Sequence, residues 1–72
     1  MFKIGEHTYK LGTELQVGDV IERRYQKNDR ITALRPYHGP LDYLWDGKAQ
    51  IATFAIYAEM TIEPQIRFEV FS

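Results

Sequence analysis

Nowhere along this chain do apolar residues keep the 3.6-residue spacing of an amphipathic helix for more than a single turn. They come instead in short runs rich in β-branched and aromatic residues, cut by Gly, Pro, Asn and Asp. A chain patterned this way must build its core from a sheet. It must also do so with little help, because 72 residues without a cysteine have neither disulfides nor thiolate metal sites to fall back on. A chain this short buries only about 60% of its unfolded surface. Packing of one core, or oligomerisation, has to supply the stability, and residues 1–72 are read as a single β-domain. With 44% apolar residues and 14% aromatic, the material for that core is present.

Phe2 to Ile4 and Thr8 to Leu11 read as an N-terminal hairpin around Gly5, Glu6 and His7, ended by Gly12. Thr13, Glu14 and Leu15 suit a single helical turn. Val17-Gly18-Asp19 follows as a turn in which glycine takes a positive φ and aspartate bonds nearby backbone. Val20 to Tyr25 and Arg30 to Tyr37 then read as the arms of a second hairpin, joined by Gln26-Lys27-Asn28-Asp29. Strict alternation would put Ile31, Ala33, Arg35 and Tyr37 on one face of the second arm and Arg30, Thr32 and Leu34 on the other, an imperfect division of apolar from polar. Residues 38–48 form a long connection in which Leu41, Leu44 and Trp45 have the spacing of one helical turn. Ala49 to Ala58 is apolar on both faces and is expected to be the longest strand and a central one. Met60 to Ile62 is short, and Pro64 after it marks an edge or a turn. Ile66, Phe68 and Val70 alternate with Arg67 and Glu69, the pattern of a half-exposed strand. The sum is an all-β fold, a small SH3-like barrel or sandwich of about 5–7 short antiparallel strands.

The stretch Leu15-Gln16-Val17-Gly18-Asp19-Val20-Ile21 resembles the entry to the first long strand of many SH3-like barrels, where a Val-Gly-Asp turn introduces a hydrophobic strand. Over most of its length, with Thr32-Ala33-Leu34-Arg35-Pro36-Tyr37 and Met60-Thr61-Ile62-Glu63-Pro64 as the clearest features, the chain also resembles small uncharacterised all-β proteins encoded by tailed phages. That resemblance implies a compact accessory protein and carries over no catalytic or binding residue.

The residue inventory argues against an enzyme. The one serine is Ser72, cysteine is missing, and neither a GxSxG elbow nor a phosphate-binding glycine loop is present. His7 and His38 belong to no metal-ligand pattern, and Asp42 and Asp46, four residues apart, offer too few oxygens for a hard cation. No cofactor or metal is expected. No run approaches the roughly twenty apolar residues of a membrane span. The lack of cysteine together with the charged first fifteen residues is read as cytoplasmic.

Two regions remain as binding candidates. The first is a basic island. Residues 23–38 carry Arg23, Arg24, Lys27, Arg30 and Arg35 against Asp29 alone, a net charge of +4, between acidic flanks of −2 over residues 1–22 and −3 over residues 39–72. With Tyr25 beside them, these cations have the composition of a surface that neutralises phosphates and stacks on bases. Against that stand the net charge of −1 for the whole chain and the need of any exposed hairpin for charged residues. The second is the loop holding Tyr37, Leu41, Tyr43, Leu44 and Trp45, residues of the kinds that anchor protein interfaces. Trp45 has two uses, closing one end of the fold or joining an interface. The preferred expectation is a non-enzymatic interaction module that self-associates, a homodimer included, or binds another protein through this loop. A nucleic-acid-binding barrel using the basic hairpin is the alternative.

Overall fold

The expected strands condense into one antiparallel sheet of seven, in the order β1-β2-β7-β3-β4-β5-β6. The computed structural model describes residues 1–23 and 27–71. The strands are β1 (Phe2–Ile4), β2 (His7–Leu11), β3 (Val20–Glu22), β4 (Asn28–Pro36), β5 (Gln50–Phe54), β6 (Met60–Ile62) and β7 (Arg67–Phe71). Single 3-10 turns lie at Gly12–Glu14, one residue ahead of the expected Thr13 to Leu15, and at Asp42–Trp45, within the expected turn. The fold is therefore all-β, and among the described residues no helix is long and apolar enough to cross a membrane.

Sequence-adjacent strands pair through β3, β4, β5 and β6, and the C-terminal strand β7 inserts between β2 and β3. The sheet curls around Leu15, Ile21, Ile31, Ala52, Phe54 and Ile62, with Leu34, Met60, Phe68 and Val70 packed against them. From Arg67 onward β7 follows its expected alternation, which Ile66 leaves. Phe68 and Val70 turn inward, Arg67 is exposed, and Ile66 lies outside the strand on the surface.

Gly18 takes the positive φ its turn requires, at 100°. Its N–H donates to the Ile31 carbonyl at 2.8 Å, and the Ile31 N–H donates to the Asp19 carbonyl at 2.9 Å. The Asp19 carboxylate receives the Gln16 N–H at 2.8 Å and the Lys10 ammonium at 2.9 Å. The Val-Gly-Asp turn therefore ties the start of β3 to both β2 and β4.

Four expectations are corrected. The first hairpin turns at Gly5-Glu6, so His7 belongs to β2, where it pairs with Ile4. In the second hairpin Asn28 and Asp29 belong to β4, opposite Glu22 and Ile21, instead of forming the turn. The part of the first arm expected over Arg24 and Tyr25, and Gln26 of the expected connection, lie outside the described residues. The alternation in β4 breaks at a β-bulge. Ile31 pairs with Phe54 and Ala33 with Thr53, leaving Thr32 as the extra residue. The bulge resets the pleat, so Ile31 and Leu34 both face the core while Ala33 is exposed. Finally, the apolar run from Ala49 to Ala58 is cut short at Phe54, and β4, with nine residues, is the longest strand. β5 is flanked by β4 and β6 and is internal to the sheet, whereas its middle strand is β3; β6 is an edge, in keeping with Pro64.

Candidate functional site

The loop between β4 and β5 is built around an aromatic contact. Tyr37 and Trp45 meet edge to face, their ring centroids 5.4 Å apart, an arrangement that the ring quadrupoles favour. Tyr37 also lies over the backbone of Gly39, where a Cβ would overlap the end of its ring, so a larger residue here would displace the ring. Backbone bonds set the rest: Tyr37 N–H to the Ala49 carbonyl at 3.1 Å, Leu44 N–H to Leu41 at 3.0 Å and Lys48 N–H to Trp45 at 2.9 Å. Asp46 ends the 3-10 turn in the left-handed region, at φ 51°.

This frame decides where the loop's five candidate residues go. Tyr37 and Trp45 are half-buried against each other, so the tryptophan closes the loop without entering the main core. Leu41, Tyr43 and Leu44 point outward, with Tyr43 74% and Leu44 59% exposed. Beside them an open cleft of about 400 Å³ runs between Leu44, Trp45 and Lys48 on one side and Thr13, Pro64 and Gln65 on the other. Replacing Trp45 with Ala removes the support under this turn. The expected result is a folded protein with lower thermal stability, by about 2 kcal/mol for a half-buried ring. Near-UV circular dichroism should lose the Trp45 signal while the far-UV spectrum of the sheet is kept.

Two cations of the basic island make contacts within the chain. Arg23 donates to the Ala58 carbonyl at 2.7 Å and lies over the Phe54 ring, 4.2 Å from its centroid. Arg35 pairs with Glu59 at 2.9 Å. Both cations therefore reach across to the segment after β5. Lys27 and Arg30 are exposed at the surface, while Arg24 and Tyr25 lie outside the described residues. Arg23 and Arg35 are ligand contacts only in the nucleic-acid alternative. Their contacts lie 35 and 24 residues away in the chain, a distance at which local pattern carries no signal.

The residue that local reasoning missed is Asp29. Taken for a turn former, it is 3% exposed and organises the same segment. One carboxylate oxygen accepts the Arg30 N–H at 2.8 Å; the other accepts those of Ile56 at 3.0 Å and Tyr57 at 2.8 Å. Burial pushes its pKa up, but the three N–H bonds and the nearby Arg23 charge more than offset it and hold the carboxyl below its ordinary range. These bonds turn the chain away from the sheet after Phe54 and leave Ile56 outside.

Among the described residues no group of three or more His, Asp or Glu side chains is placed to hold a metal ion. His7 hydrogen-bonds Glu69 at 2.9 Å, and Asp42 and Asp46 take up the start and end of the 3-10 turn. No family model, no curated protein and no solved structure matches this chain.

Proposed function

We propose that this protein is a non-enzymatic interaction module that binds another protein through the outward side of the turn at Leu41, Tyr43 and Leu44. The observation that supports this reading is the contrast within one short loop. Tyr37 and Trp45 are spent on holding the turn rigid, and the residues so held are apolar and exposed. A preorganised apolar knob loses little conformational freedom on binding, which is the condition for a small contact to be specific. The Val17-Gly18-Asp19 turn leading into β3 favours reading the curled sheet as an SH3-like barrel, a scaffold suited to presenting such a loop.

A photo-crosslinking residue at position 43 tests the proposal in the cell that makes the protein. We expect one discrete protein adduct, lost when Leu41 and Leu44 are both replaced by Ser and kept when Lys27 and Arg30 are both replaced by Ala. Labelling no different from that of the same probe at exposed Val17 would rule the loop out. The nucleic-acid alternative predicts salt-sensitive binding of labelled single strands in fluorescence anisotropy, abolished by the Lys27 and Arg30 replacements. Engagement of Arg23 and Arg35 within the chain weighs against it.

A further inference from the structure

The outer face of β1, β2 and β7 is a second apolar surface, independent of the loop. β1 is exposed along its whole length and paired on one side only, with Ile4 54% exposed. Phe2 stacks on Tyr9, centroids 5.6 Å apart, and the Arg67 guanidinium lies 5.1 Å from the Tyr9 ring centroid. Register places Leu11 beside Arg67 and Tyr9 beside Glu69, so all of them share one face. A hydrophobic edge strand covered on neither face is costly in so small a domain. Lys3, midway along that edge, opposes addition of another strand. The face, not the edge, is what remains to be covered.

The charges on this face complement themselves. Arg67 and Glu69 are two residues apart on β7 and project to the same side. A two-fold axis in the interface, perpendicular to β7 at Phe68, sets Arg67 of each copy over Glu69 of the other. Because β2 runs in register beside β7, the same operation sets Tyr9 over Leu11 of the second copy. One symmetry operator thus matches a charge pair and an apolar pair together, the condition for an isologous interface. We propose that a second copy of this chain covers this face, giving a two-fold homodimer in which the two sheets stack through β2 and β7. The face is three strands, about 14 Å, wide and about 17 Å long. That is a few hundred Å² per copy, well short of the roughly 800 Å² per partner of a standard interface, so the dimer is weak and dissociates at high micromolar concentration.

Sedimentation equilibrium from tens of micromolar to the millimolar range tests this, with thermal melts to show that each variant is folded. The wild-type chain is expected to approach twice its 8.5 kDa mass. Arg67→Glu alone sets acid over acid, and Glu69→Arg alone sets base over base, and each should weaken the dimer at least about tenfold. Mixing these two variants in equal amounts should restore association, because every contact in the heterodimer again joins opposite charges. An effect confined within one chain cannot produce that rescue. A wild-type monomer throughout the range, a dimer indifferent to the single reversals, or a mixture no better than its components overturns the proposal. Loss of the dimer on replacing Leu41 and Leu44, with Arg67→Glu harmless, would also overturn it and transfer self-association to the loop. A dimer that behaves as expected says nothing for or against the loop's own partner.

Discussion

Replacing Asp29 with Ala should lower the melting temperature by on the order of 15 °C, near the limit of what a domain of this size withstands. The substitution strips a partner from three backbone N–H groups, those of Arg30, Ile56 and Tyr57, and leaves them beside an apolar methyl. Asp29→Asn should fall between. With its oxygen turned to Ile56 and Tyr57 it keeps two bonds, but its NH₂ then meets the N–H of Arg30, donor against donor. The pH dependence has a definite sign. Because the folded carboxyl is held below its ordinary value, its contribution is present in full above about pH 4 and is lost as pH falls through the lowered folded value. Melting curves followed by circular dichroism should therefore show wild type and Asp29→Asn far apart at neutral pH and converging in acid. A constant gap between them down to low pH would mean that the ionised form of Asp29 is not what holds the 55–57 segment.

Gly12→Ala should destabilise the protein by about 3 kcal/mol, the upper part of the range for overpacking. The added methyl would overlap the backbone carbonyl oxygen of Glu63 and stand 2.9 Å from Cγ2 of Ile62. Backbone cannot rotate out of the way as a side chain can. The Gly12 N–H, bonded at 2.9 Å to the Ile66 carbonyl, holds the two segments at this separation. Gly12 is not among the residues with positive φ, so on conformational entropy alone alanine would stabilise by about 0.4–1 kcal/mol. The two accounts predict opposite signs, and chemical denaturation of the single variant decides between them.

Interactions between near neighbours were the ones legible beforehand. The Gly18 turn, the two 3-10 turns and the inward set of β7 each depend on residues a few positions apart. The β4 faces were misassigned because a bulge leaves no mark in residue types: Thr32 is as suited to a regular strand as to the extra position. The strand end at Phe54 was invisible for a related reason. Ala55, Ile56 and Tyr57 are good strand formers, and what ends the strand is a carboxylate that arrives from 27 residues away. The same applies to Arg23 and Arg35 of the basic island, which lie near each other in the chain but reach the Ala58 carbonyl and the Glu59 carboxylate.

Fold class, most of the strands and the loop at Leu41, Tyr43 and Leu44 as a binding candidate follow from the sequence alone, since hydrophobic period, turn chemistry and composition act over short spans. Tertiary structure decided the strand order, the bulge, the insertion of β7 beside β2, and whether each polar side chain served the fold or faced outward. Those outcomes depend on which backbone groups lack partners once the sheet has curled. A buried N–H must find an acceptor wherever the chain can supply one, and here it drew Asp29 out of a turn and into the interior.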